Sequence, residues 1–454
     1  MNHTITDIFV DNLIEFSNRH FSEEDYSHAK KCVLDYIGVT LAGAKEYARE
    51  EKAMLNTWIG GGGGETTIIG HIHKATPAIS ALINGISSHA VELDDGQRFG
   101  NIHPGSPVIS AVLALGESKG LMLKDFLIGV LTGYECVLRL ACAIQPSHKL
   151  KGFHATGPCG TIGATMGIAA MLGFKRSQFK SAISAASTSA SGILEMIEGD
   201  TQFMPYNAGK AALSGVISAS MGEAGLKYPK DAMGGSRGFL SCYSSEVKSS
   251  LLLDFSQGPY FSTNYFKLYA ACGHCHSGID AALRLREKGS FMIDEIEHIV
   301  VETYSLALKG HDHNVIKGVN SAKMSIPYSV AVALIKGKAG IEEFTENAIK
   351  NPSVLDLTAK TTVQGSVELS SLAPQRRVSI VHVYTKRGVF TERVDFPKGQ
   401  PENPLTTSDI ENKFCSMCEY AEFPEGKARE ITKMILQKDD IRVNQLMELL
   451  RGNN

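Results

Sequence analysis

The run GTIGATMGIAAMLGF, residues 160–174, is the most apolar stretch of the chain. Its fifteen residues are too few to cross a bilayer, which takes about 20 in a helix. Gly and Ala at this density instead predict a helix whose neighbours approach it closely inside a core. No transmembrane span is expected anywhere.

Working outward, EEDYSHAKKCVLDYIGVTLAG (23–43), PAISALINGISSHAVEL (77–93), SPVISAVLALGESKG (106–120), LKDFLIGVLTGYECVLRLAC (123–142) and GKAALSGVISASMGEAG (209–225) carry apolar residues at three- and four-residue spacing. Each stops at Gly or a polar cluster. ETTIIG (65–70) is the clearest strand signal among them. After about residue 260 the texture changes. IEHIVVETY (296–304) is β-branched and alternating, and RRVSIVHVYTKRGVFTERVDF (376–396) reads as two strands about the turn Lys386-Arg387-Gly388. The expected fold is mainly α: a large helical domain over 1–262, completed by C-terminal helices within 400–454, and a smaller α+β domain over 263–399.

At 454 residues with 43% hydrophobic and 20% charged residues, the chain has ample core for two domains. A net charge of −3 and no long Lys/Arg block argue against a nucleic-acid or membrane-surface partner. Nine scattered cysteines and an acidic, amphipathic N-terminus predict a cytoplasmic protein with reduced thiols. The run Gly60–Gly64 lacks the strand and the Lys-Ser/Thr of a phosphate loop, so a turn is expected there.

HAVELDDGQRFGNIHPGSPV (89–108) concentrates acid/base residues. His89 and Glu92 are three apart on the preceding helix, and Asp94 and Asp95 fall at its C-terminal end, facing the negative pole of its dipole. Ser106 and Pro107 read as N-cap and first residue of the next helix, which sets His103 beside an anion-receptive helix start. A solvated helix end, a metal site and an acid/base site all remain open. His154 lies in a Gly-rich turn, and Lys210 at an expected helix start. NYFKLYAACGHCHSGIDAAL (264–283) brings Lys267, Tyr269, Cys272, His274, Cys275 and His276 together. Its Cys-x-x-Cys, with Cys415 and Cys418 as a second pair, admits a zinc reading, against ordinary buried thiols at a helix start.

Taken together, ATPAISALINGISSHAVELDDG, HPGSPVISAVLAL, GFHATGPCGTIGATMGIAAMLG, NAGKAALSG, FKLYAACGHCHSGIDAAL and SAKMSIPYSVAVAL resemble, in order, the MmgE/PrpD family. That family includes 2-methylcitrate dehydratase, cis-aconitate decarboxylase and iminodisuccinate epimerase. The resemblance implies a cofactor-independent homodimeric enzyme with a helical domain and an α+β lid, acting on small di- or tricarboxylates and holding no metal. It implies His103, Lys267, Tyr328, Asp94 and Asp95 as catalytic, and Glu92, His154, Lys210, Cys272 and His276 as substrate-binding. In these roles His103 and Lys267 bind carboxylates and carry protons, Tyr328 donates a hydroxyl proton, and His154 and Lys210 are pocket cations. Met204, Asn207 and Cys272 stand where decarboxylase-like members have Lys, His and His, and Gly96 replaces a hydroxyl residue. Those departures favour isomerisation of an aconitate-like tricarboxylate. The alternatives are a 2-methylcitrate- or citrate-type dehydratase, a cis-aconitate decarboxylase, and a helical scaffold that has lost catalysis.

Overall fold

The computed structural model describes residues 3–58, 64–197, 201–438 and 440–452. Most of the glycine run, Gly60–Gly63, lies outside them, and so does the turn expected there. The chain divides into two units. Met1–Met196, Gln202–Asn264 and Thr406–Asn454 make the first; Ile197–Thr201 and Tyr265–Leu405 make the second.

Unit 1 is helical. Its central members are α1 (Glu23–Glu46), α2 (Pro77–Ala90), α3 (Gly105–Ser118), α4 (Leu123–Ile144), α5 (Pro158–Met171) and α6 (Met204–Glu223). α1 starts at a capping box in which Ser22 and Asp25 satisfy each other's backbone N–H groups, worth about 1 kcal/mol. The opening run forms most of α5. Gly163 and Gly167 lie against the backbone of α4 at Gly133 and Gly129, where an added Cβ would meet carbonyl oxygens 2.7–3.1 Å away. Small residues therefore set the α4–α5 spacing, as their density predicts.

α4 changes one expectation. At 22 residues it is the one helix among those described that is long and apolar enough to cross a membrane, yet 94% of its apolar window is buried inside the protein. Phe126, Leu127, Val130, Val137 and Leu138 are core residues there, each stabilising by roughly 1.5–3 kcal/mol on burial. The strand signal at 65–70 reduces to Thr66–Thr67, paired antiparallel with Lys74–Ala75. The helix Thr407–Tyr420 and the two that follow it, Glu425–Gln437 and Val443–Leu449, belong to unit 1.

Unit 2 holds a four-stranded sheet. Its strands are β1 (Ile296–Tyr304), β2 (Thr361–Ser366), β3 (Ser379–Thr385) and β4 (Gly388–Val394), in the order β2-β1-β3-β4. β1 and β2 are parallel; the other pairs are antiparallel. Register pairs Ile299 with Val383 and Val301 with Val381, all fully buried, so alternation along each strand defines the covered face. Lys386-Arg387 joins β3 to β4 at the expected position, and Gly388 takes φ 138° at its end. α7 (His276–Lys288) and α8 (Ile326–Lys336) end on Gly289 and Gly337, both left-handed. β2, with the short sequence TTVQGS, carries too little alternation to be read from sequence.

Candidate active site

α2 stops at Ala90, earlier than the sequence suggests, and Val91 to Pro104 form a buried loop before α3. Glu92 in this loop has φ 57° and Asn101 φ 48°, a left-handed conformation uncommon outside glycine. Glu92 is therefore not on the helix face of His89. Lys413 of the helix Thr407–Tyr420 ties the loop down by donating to the Leu93 carbonyl at 2.6 Å, while pairing with buried Asp35 at 2.5 Å.

The loop carries Asp94 and Asp95 away from the end of α2 to the beginning of α3. Gly105 N–H donates to Asp95 Oδ1 at 3.0 Å and Ser106 Oγ to Asp94 Oδ2 at 2.9 Å. α3 begins at Gly105, so Ser106 and Pro107 are inside its first turn rather than at the cap. The expected electrostatic penalty thus reverses: both carboxylates meet a positive helix end, typically worth 0.3–1 kcal/mol each and up to ~2 kcal/mol when partly buried. They are also only 3% exposed, which removes the solvated-end reading. Gly105 is obligatory by contact, because a Cβ would stand 2.7 Å from both Asp95 Oδ1 and the Tyr134 hydroxyl.

Each carboxylate has its own partners. Asp95 Oδ2 accepts from Tyr134 Oη at 2.9 Å and from Asn264 Nδ2 at 2.7 Å, and Asn264 Oδ1 faces His28 Nε2 at 2.8 Å. Asp94 Oδ2 lies between two imidazoles, 2.8 Å from His89 Nδ1 and 3.3 Å from His103 Nδ1. Burial, then the adjacent Asp35 and Asp94 carboxylates, push Asp95 up to about 7. Burial acts on Asp94 in the same direction, yet the His89 and His103 imidazoles beside it hold it well below the usual carboxylate range. Two neighbouring acids are thereby separated in strength.

His103 is set up by this arrangement. Its Nδ1 is 2.8 Å from the Asp95 carbonyl as well as 3.3 Å from Asp94. Both are acceptors, so Nδ1 carries the proton and the neutral ring holds its lone pair on Nε2. The side chain is 17% exposed, against none for His89, whose ring centre lies 4.6 Å away. His154 supplies the third ring, stacked on His89 at 6.1 Å. Burial, then His89 and His103, push His154 down to about 3, so it is neutral and not the cation expected. Asn207 Nδ2 lies 3.2 Å from its Nδ1 and 3.4 Å from the Ile193 carbonyl, which turns the amide nitrogen toward the ring and leaves the proton of His154 on Nε2.

The imidazole and carboxylate atoms of His89, Asp94 and His103 lie within 4.8 Å of one another, close enough to hold a metal ion. Sequence spacing did not reveal this group. At 2.8 and 3.3 Å the same atoms share protons, so an ion would compete with the hydrogen bonds that orient His103.

Other expected site residues are placed differently. Lys210 is seven residues into α6, not at its start; its ammonium meets the Ser191 carbonyl at 2.7 Å and the Ser191 hydroxyl, and burial lowers it to about 8. Four belong to unit 2. Tyr328, in the first turn of α8, is fully buried and donates its hydroxyl proton to the Glu343 carbonyl at 2.7 Å, so the donor expected for substrate is engaged in packing. His276 Nε2 donates to the Ala271 carbonyl at 3.1 Å. Cys272 is half-buried, its N–H bonded to the Lys323 carbonyl at 2.9 Å, and Lys267 is buried. Cys415 is exposed on a helix of unit 1, and Cys275 Sγ is 4.0 Å from the Lys323 carbonyl, an ordinary setting for a thiol.

Sequence reading missed Tyr134 and Asn264 as parts of the unit 1 site. Tyr134 had a signal, since a tyrosine on an apolar helix face needs a buried partner for its hydroxyl. In unit 2 it missed the group in which His274 Nδ1 meets Tyr304 Oη at 2.5 Å, His311 packs 4.9 Å from His274, and Arg377 adjoins Tyr304, Tyr265 and Cys272.

A helical unit with a carboxylate-oriented histidine, followed by an α+β unit, is the arrangement for which the sequence resemblance stood. The model of the MmgE/PrpD N-terminal domain matches residues 9–251 and that of the C-terminal domain residues 269–440; the chain belongs to this family. It is 25% identical to the cis-aconitate decarboxylase of Aspergillus terreus, over 93% of this chain and 91% of that protein. It is also 25% identical to the human cis-aconitate decarboxylase (90% and 87%), and to a cis-aconitate decarboxylase-like protein of Aspergillus oryzae (86% and 85%).

Proposed function

We propose that this protein is a cofactor-independent enzyme that moves a proton at a carbon next to a carboxylate in a small di- or tricarboxylate, most simply isomerising an aconitate-like tricarboxylate. The observation that carries the reading is the fixed tautomer of His103. With Nδ1–H held by Asp94 and the Asp95 carbonyl, Nε2 is the basic nitrogen, and ionised Asp94 stabilises the imidazolium formed when that base takes a proton. In an aconitate, removal of a methylene proton sends its electron pair into a carboxylate-conjugated dienolate. Return of a proton from Nε2, which exchanges with solvent while the imidazolium stands, to the former vinyl carbon shifts the double bond, and no group leaves. Neutral His154 supplies a donor to the developing oxyanion, typically worth ~3 kcal/mol. Lys210 is a carboxylate-binding cation in this proposal.

The names of the relatives support a tricarboxylate as substrate. Met204 and Asn207 speak against decarboxylation. A second reading is a dehydratase, in which the same base removes the proton and the imidazolium returns it to a departing β-hydroxyl. The test is incubation with cis-aconitate, trans-aconitate, 2-methylcitrate and citrate in deuterated water, followed by NMR, with and without chelator. Deuterium in an isomerised aconitate is the expected result. Loss of water identifies the dehydratase, loss of a carbon rejects both readings, and activity abolished by chelator makes the His89–Asp94–His103 group a metal site.

A further inference from the structure

Unit 1 holds a cavity of about 570 Å³ away from the histidine cluster, within the range of small-molecule sites. Leu41, Ala44 and Leu55 form an apolar, buried floor. Around it stand Lys45, Lys52, His71, His73 and Arg451. Glu422 is the one carboxylate among the lining residues and is engaged with Lys45 at 2.7 Å; Arg451 pairs with Glu448 at 3.0 Å, so Lys52 and His73 carry the anion-binding part of the rim. Lys52 makes no ion pair among the described residues. An apolar floor under a cationic rim fits an organic anion better than water or a neutral ligand.

One further observation sets this cavity apart from ordinary surface relief: it is wired to α2. His71 Nε2 lies 2.5 Å from Glu51 Oε2, and the other oxygen of the fully buried Glu51 accepts from the Ser87 hydroxyl. Ser87 precedes His89 by two residues. On the wall helix α1, Gly43 packs on the Ser87 backbone with no room for a Cβ.

We propose that this cavity binds a small organic anion, a carboxylate or phosphate ester with an apolar body, and that occupancy is passed through Glu51 and Ser87 to the turn carrying His89. Isothermal titration with AMP and with benzylsuccinate, inorganic phosphate serving as control, tests it. At least one organic probe binds the parent protein, and Lys52→Glu combined with His73→Glu weakens it by about tenfold or more. A better AMP identifies the phosphate source, a better benzylsuccinate the carboxylate one. Binding by neither, or equal binding to the double variant, overturns the site. The bound probe slows amide hydrogen exchange over residues 84–95 in the parent protein and not in Ser87→Ala; unchanged exchange in the parent overturns the transmission. None of these readouts uses turnover, so they stand or fall apart from the proposed reaction.

Discussion

Two of the charge networks buried in unit 1 are built to opposite specifications. On α4, Glu135 and Arg139 pair at 2.5 Å and are at most 1% exposed. Each side-chain nitrogen and oxygen of the pair has a partner: Arg139 donates to the carbonyls of Asp254 and Gly258 at 2.8 Å, and Glu135 accepts from the N–H groups of Tyr260 and Phe261 at 2.7 and 2.9 Å. Phe255 covers the guanidinium at 4.0 Å. The cluster of Asp94, His103 and their neighbours is left open. Asp94 Oδ1 has no hydrogen-bond partner among the described residues, and His103 keeps Nε2 unused with its side chain part-exposed. A closed network holds elements together, whereas an open one keeps capacity for a substrate.

That contrast can be broken experimentally. The largest effect is expected from His103→Ala, which lowers turnover between about 10² and 10⁴-fold while the urea midpoint stays near the parent value. A loss of stability equal to the loss of rate would make His103 a structural residue. Arg139→Met does the reverse, costing about 3–5 kcal/mol in urea unfolding because Glu135 is stranded, with the rate per folded molecule nearly unchanged. Asp94→Asn lowers turnover by about 10²-fold or more, since an amide nitrogen facing Nδ1 favours the wrong tautomer; parental activity would remove Asp94 from the orienting role.

Two smaller effects sharpen the comparison. Gly105→Ala destabilises by roughly 1–3 kcal/mol through contact with Asp95 and Tyr134. Titration gives the last. Asp95 is raised from an ordinary 3.8 to about 7, so the folded chain binds the extra proton between those values. The stability it adds is complete below about pH 4 and is lost as pH rises through about 7. Thermal unfolding across that window should show the slope in the parent protein and a weaker one in Asp95→Asn. A flat parent profile would mean that its three hydrogen-bond donors outweigh burial.

Local pattern made part of this legible. The Gly/Ala run forecast close helix packing because backbone approach depends on missing side chains, a local property. IEHIVVETY became β1 over its whole length, and Lys386-Arg387 sits in the β3–β4 turn, since alternation and turn chemistry are also local. The same logic failed at Asp94 and Asp95. Reading α2 as far as residue 93 put them at its negative end, when two left-handed residues and a loop deliver them to the positive end of the next helix. Asn264, 169 residues from Asp95, and Lys413, 320 residues from Leu93, left no trace in spacing.

The sequence by itself determined the helical periodicity, the α+β texture after residue 260, the family, and the presence of His103, Asp94, Asp95 and His154 in the candidate chemistry. Only the tertiary structure decided their protonation: which acid is strong, which imidazole nitrogen carries the proton, and that His154 is neutral. Residue identity supplies the ionisable groups, but their charge depends on burial and on distances of 3 to 6 Å to partners that folding gathers from distant parts of the chain.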